Sequence, residues 1–216
     1  LVIKIFQSNN DKIRKKLLFI SLAVNLGFLG FFKYCNFFID SFVNLLAQFN
    51  FNIDTYTLNI ILPVGISFYT FQTLSYSIDI YKRKMEPTRD AISFFTFVAF
   101  FPQLVAGRIE RAKNLLPQFS KKREFNYQLA RSGGRLVLLG FFKKIVVADS
   151  LAVLVNAVYN DPEGYAGIPM IVATVFFAFQ IYCDFSAYTD IAIGSSHLIG
   201  VELPENFDSP YSATSP

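Results

Sequence analysis

Apolar positions in this chain come in long, nearly unbroken stretches. They do not follow the 3.6- or 2-residue period that marks a half-buried helix or strand. Leu17 to Phe49 is one such stretch, interrupted by Lys33 and Asp40. A bilayer crossing needs roughly 20 apolar residues, so this stretch predicts one long tilted helix, or a span followed by an interfacial helix. The polar, base-free loop Asn50 to Thr57 separates it from the run Leu58 to Tyr81, where Pro63 and Gly65 predict a kink near the start. Ala91 to Ala106 is only about 16 residues long, short for a span. It is predicted to be re-entrant or in-plane, turning at Pro102. Phe125 to Tyr159 is mixed, with Lys143 and Lys144 at its centre. It predicts an amphipathic surface helix leading into a span, with the lysines snorkelling to lipid headgroups. After the acidic loop Asn160 to Gly167, Ile168 to Val201 forms a final run of bilayer length. The expectation is an all-α polytopic membrane protein of about three or four spans, with re-entrant and interfacial helices. Residues 1–216 are expected to form a single membrane-embedded region.

Composition points the same way. Of 216 residues, 53% are hydrophobic and 17% charged, and a soluble domain of this length carries more charge. The 26 phenylalanines include the pairs Phe94-Phe95, Phe100-Phe101 and Phe176-Phe177, which suit contact with lipid. Leu1 at the start and the polar SPYSATSP at the end lead us to expect a central piece of a longer chain.

The net charge of +4 resides in clusters: Lys12 to Lys16, Lys82 to Arg89, and Arg108 to Arg123. Such clusters mark cytoplasmic loops, and nucleic acid is not an expected partner. Basic residues flank Ala91 to Ala106 on both sides, which is why that run is expected to enter and leave by one face. Asp79 lies beside Lys82 and Arg83, where an ion pair or a headgroup contact is expected. Cys35 and Cys183 lack metal or redox spacing and are expected to be small buried side chains; no metal site is expected.

Chemistry concentrates in the final run. Asp184 and Asp190 sit inside it, and a carboxylate at bilayer depth costs from ~3 to over 10 kcal/mol unless something compensates it. Asp184 and Tyr188 are four residues apart, as are Ser186 and Asp190, so each pair shares a helix side. Hydroxyls of Tyr and Ser can donate to the carboxylates. The cluster either ties helices together or lines a substrate passage; the spacing admits both. His197, the sole histidine, has no carboxylate at triad or metal spacing and is expected to pack or face a loop. Arg108 could hold a phosphate or carboxylate, although an ordinary cytoplasmic-side charge explains it equally. Phosphate-loop, dinucleotide, nucleophile-elbow and zinc-protease motifs are absent. A transporter or channel would show the same features.

Four segments carry a more specific likeness: LPVGISFYTFQTLSYSIDIYKR from Leu62, FFPQLVAGRIERAKNLLPQF from Phe100, GFFKKIVVADSLA from Gly140, and YCDFSAYTDIAIG through LPENFDSPYSATS from Tyr182. In this order they resemble the membrane-bound O-acyltransferase family, in its alginate O-acetyltransferase branch, with D-alanyl-transfer proteins as more distant relatives. The resemblance implies helical spans around a funnel closed by a thin partition. It also implies acyl transfer across a bacterial inner membrane onto an extracytoplasmic polysaccharide such as alginate. The implied donor is acetyl-CoA or another acyl carrier, with no tightly bound cofactor. The implied partners are the lipid bilayer and an extracytoplasmic acetyltransferase or polysaccharide-modifying complex; a non-catalytic assembly subunit is a further alternative. Under this resemblance Asp184, Ser186, Tyr188 and Asp190 are the passage-lining candidates, and Arg108 and Arg111 the donor-side charges. Arg108 replaces the family's usual proline after LVAG. Ala187 replaces a usual glycine, tolerably if the helix does not pack closely there. The family's catalytic histidine lies in motifs that follow the PENF loop and is not matched by His197. No catalytic residue is therefore expected in this segment, which by itself is expected to be inactive.

Overall fold

The computed structural model describes residues 1–49, 63, 65–104 and 110–206. All regular structure among them is helical: α1 (Val2–Gln7), α2 (Asp11–Gln48), α3 (Ile66–Tyr81), α4 (Ala91–Val98), α5 (Phe101–Leu104), α6 (Ala112–Ser120), α7 (Tyr127–Phe141), a π-helical segment (Phe142–Ala148), α8 (Asp149–Tyr159) and α9 (Ile168–Leu198). Two helices are long and apolar enough to cross a membrane, over Asp11–Leu46 and Ile168–Leu198. Only 6% of the most apolar window of each is buried within the protein, whereas the core helix of a soluble domain hides its apolar face. Phe19, Phe28, Phe37 and Phe38 on α2 and Ile168, Ile171 and Phe185 on α9 are all exposed. The chain divides into two compact units, Leu1–Phe100 with Ile109–Ser120, and Phe101–Arg108 with Lys121–Pro216.

In the first unit α1 and α3 pack on α2, and α4 pairs with α6. With no proline between Asp11 and Gln48, α2 runs unbroken and resolves the choice between one long helix and a span with a separate piece. A neutral polar seam joins α2 to α3. The Ser21 and Ser77 hydroxyls lie 3.2 Å apart, and Thr73 Oγ1 donates to Asn25 Oδ1 at 2.8 Å. At the basic end of the seam Arg14 donates to the Tyr81 carbonyl and lies over the Tyr81 ring. The kink expected in the second run falls partly outside the described residues; what is described is the start of α3. Gly65 takes a left-handed conformation (φ 77°) that glycine adopts without steric penalty, and α3 begins at the next residue; residues 58–62 and 64 lie outside those described. Asp79 pairs with neither Lys82 nor Arg83; its buried carboxylate lies 3.8 Å from Arg111.

The third run breaks in two. Asp90 caps α4, its carboxylate accepting from the Ile92 and Ser93 amides and the Ser93 hydroxyl, and these bonds hold its carboxyl below the ordinary aspartate range. The helix stops at Val98, and Pro102 lies in the first turn of α5, where a missing N–H is harmless. The break therefore falls at Ala99 and Phe100, ahead of the proline.

In the second unit α7, the π-segment and α8 run on without interruption and pack antiparallel against α9. Most of the mixed stretch is thus one continuous rod. The contact is close because small residues recur seven apart on both sides: Gly133 and Gly140 on α7, Ala187 and Gly194 on α9. A methyl at Gly133 would stand 2.6 Å from the Gly194 carbonyl oxygen, and one at Gly140 would stand 2.7 Å from that of Ala187. Small-residue seams of this kind let helix backbones approach in an apolar environment. Ala187 is fully buried there, so the helix does pack closely at the position where a usual glycine is replaced, and the methyl is accommodated.

Candidate functional site

The intramembrane acids find their partners on the π-segment. Lys143 Nζ donates to Asp190 Oδ2 at 2.7 Å. Lys144 Nζ lies 2.8 Å from Asp184 Oδ1 and 2.9 Å from Asp149 Oδ1. Both lysines are thus engaged inside the protein instead of reaching to headgroups, which corrects the snorkelling expectation. Two adjacent lysines can serve one neighbouring helix because the wider turn of a π-segment holds consecutive residues nearer to one face than an α-helix would. Compensation by lysine also displaces the expected hydroxyl donors. Ser186 Oγ donates to the Cys183 carbonyl at 3.4 Å instead of to Asp190, and Thr189 Oγ1, not among the expected donors, likewise turns back to the Phe185 carbonyl at 3.1 Å.

The four passage-lining candidates separate onto two sides of α9. Ser186 and Asp190 border a groove of about 280 Å³, together with Lys143, Tyr182, Thr189 and His197. Leu136, Ile193, Leu203, Glu205 and Asn206 complete its lining. Asp184 and Tyr188 lie away from it, with Lys144 Nζ 5.7 Å from the Tyr188 ring centre. The groove follows α9 from Tyr182, near the middle of the helix, to His197 at its C-terminal end. That is about 22 Å at 1.5 Å per residue. Its lining mixes hydroxyls, an amide, an imidazole and one closed ion pair, with the exposed Glu205 carboxylate added at one end; away from that carboxylate it suits an uncharged or weakly charged occupant.

The donor-side candidates fare differently. Arg108 lies outside the described residues. Arg111, largely exposed, faces Asp79 in the first unit. Cys35 and Cys183 are free and half-buried, less enclosed than expected. Among the described residues no three His, Cys, Asp or Glu side chains come together as a metal site would require. Reading the sequence missed Lys143, Lys144 and His197 as parts of this region. The usable signal was two lysines inside one apolar stretch and two aspartates inside the next, since charges buried at that depth seek each other.

Two helices long and apolar enough to cross a membrane, with a polar groove and a lysine–aspartate pair beside one of them, are the features of a membrane protein with a polar site. Comparison with known proteins makes the class specific. The chain is 39% identical over 197 residues to "Probable alginate O-acetylase AlgI" of Pseudomonas aeruginosa, covering 90% of this chain and 37% of that protein. It is 35% identical over 237 residues to the peptidoglycan O-acetyltransferase of Helicobacter pylori, covering 98% of this chain and 44% of the relative. A teichoic acid D-alanyltransferase of Streptococcus thermophilus is 24% identical over 161 residues, 68% of this chain. No protein-family model matches the chain. These relationships, at 35–39% identity over most of the chain, are consistent with an alginate-O-acetylase-like member of the membrane-bound O-acyltransferases. It spans about two-fifths of the length of these relatives.

Proposed function

We propose that the protein is the multi-pass inner-membrane subunit of an O-acyltransferase that passes an acetyl group outward for O-acetylation of an extracytoplasmic polysaccharide. Its relatives named for alginate and peptidoglycan O-acetylation support this reading. The observation that carries it is the groove: buried Ser186 and Thr189 and the Lys143–Asp190 pair line a cleft along a helix whose outer surface is apolar. By the bias of basic residues toward the cytoplasm, Lys121, Lys122, Arg123, Arg131 and Arg135 put the C-terminal end of α9 on that side; Arg123 donates to the Ile199 carbonyl there. The groove then opens toward the cytoplasm and reaches the middle of the bilayer. Acetyl-CoA is the donor, with its bulk outside the groove and the acyl-bearing end inside. The segment around Ala91 to Ala106 is re-entrant, Arg108 and Arg111 provide donor-side charge, and an extracytoplasmic acetyltransferase receives the acetyl group. Ser186 and Asp190 line the passage; Asp184 and Tyr188 are structural.

The test uses the full-length protein in its host. Ser186→Leu fills the groove without adding charge and should lower the acetyl content of the polymer at least about tenfold, because misplacement of reacting groups by about 1 Å is costly. Normal acetylation at normal protein level would remove the groove from the route.

A further inference from the structure

His197 is tied to the groove by features that its place in the sequence did not reveal. It lines both the main groove and a second cavity of about 140 Å³ beyond it, bordered by Arg123, Asn126 and Leu129. Its Cβ occupies the space that a side chain at residue 133 would take: a methyl on Gly133 would stand 2.8 Å from it. The close approach of α7 therefore fixes where the His197 side chain leaves the helix.

The two ring nitrogens differ. Nδ1 is buried and has no hydrogen-bond partner among the described residues. Nε2 is not sealed in the same way and makes no hydrogen bond among the described residues, so it is the nitrogen left to meet an occupant. An unpartnered buried N–H is rarer than an under-used acceptor, so the sealed Nδ1 favours the tautomer with hydrogen on Nε2. That tautomer presents a donor to the cavities. Charged groups along the main groove do not compete for it as acceptors equally: Asp190 is already engaged by Lys143, leaving Glu205 near the mouth.

We propose that His197 binds the groove's occupant through Nε2–H, donating to an acceptor oxygen of the carbonyl class, and that Gly133 is the position that makes room for it. The inference rests on the reading of the groove as the donor-side end of an acyl-transfer route. Within that reading it identifies a substrate-binding residue that lies before the PENF loop. No bond is made or broken at His197; it holds and orients.

The test uses membrane vesicles containing the full-length protein and its partners, with acetyl-CoA as the probe. His197→Leu keeps bulk but removes the donor, and KM for acetyl-CoA should rise about tenfold with kcat changed far less, the signature of lost uniform binding. His197→Gln, whose amide N–H₂ reaches the Nε2 position, should restore KM to within about threefold of wild type, while His197→Asn, which reaches only the Nδ1 position, should resemble His197→Leu. KM does not depend on the amount of folded enzyme, so a variant made in low yield still reports. An unchanged KM in His197→Leu, or equal behaviour of the Gln and Asn variants, would overturn the role of His197 while leaving the groove as the route. Wild-type vesicles that transfer no acetyl group from acetyl-CoA would overturn the acyl-transfer reading itself and this inference with it.

Discussion

The seam between α2 and α3 and the seam between α7 and α9 solve the same problem by different chemistry. Both join helices whose outer faces are apolar. The first uses neutral pairs, Ser21 with Ser77 and Asn25 with Thr73, and is capped by Arg14 at one end. The second uses glycine contacts, continued along the π-segment by two lysine–aspartate pairs, and a groove opens beside one of those pairs. Neutral hydroxyls are enough to hold helices together at such depth, where interhelical hydrogen bonds average about 0.6 kcal/mol. Ion pairs are an expensive way to do the same job. Among the described residues such pairs join the helices of the second seam and not of the first, and this difference supports the proposal that the second unit does more than pack.

Substitutions should separate the two seams. The largest effect is expected at Gly140, where added carbon meets the Ala187 carbonyl and the Ile191 side chain. Gly140→Ala should destabilise the protein by about 1–3 kcal/mol, and Gly140→Leu by more, as overpacking does; thermal unfolding in detergent measures it. Next comes Asp190→Asn, which strands the Lys143 charge. Breaking a fully buried pair costs about 3–5 kcal/mol, and the partial exposure of both side chains (25% and 18%) reduces the expectation to about 1–3 kcal/mol. Adding Lys143→Met to Asp190→Asn should recover most of that loss while leaving acetylation impaired. Ser77→Ala should cost about 0.6 kcal/mol, the typical value for a neutral interhelical bond. Asp184→Asn should change acetylation least: Lys144 keeps Asp149, so no charge is stranded, and the loss of stability stays well below that of Asp190→Asn with polymer acetylation near wild type. If Asp184→Asn abolished acetylation at normal protein level, the division of α9 into a groove side and a structural side would be wrong.

Much of this arrangement was legible in the chain. The unbroken runs in α2 and α9 forecast their lengths, because nothing in them stops a helix, and the two aspartates announced that α9 must be compensated. What could not be seen depended on conformation that apolar pattern does not encode. The left-handed turn at Gly65 sets the residue at which α3 starts. The π-segment brings Lys143 and Lys144 to α9, although in sequence they look like ordinary interfacial lysines. The match of Gly133 and Gly140 with Gly194 and Ala187 becomes visible only when the two helices are laid antiparallel. Their exact facing is also what holds His197 beside the groove.

The central claim is that hydrophilic molecules reach the middle of α9 along one side only. Single cysteines in the full-length protein, with Cys35 and Cys183 replaced, test it most directly. Tyr182→Cys faces the deep end of the groove, whereas Phe185→Cys faces outward from the exposed side of the same helix. A membrane-impermeant thiol reagent added from the cytoplasmic side should label Tyr182→Cys and leave Phe185→Cys unmodified, with acetyl-CoA slowing the first reaction. Equal labelling of the two positions, or none at Tyr182→Cys, would contradict the account.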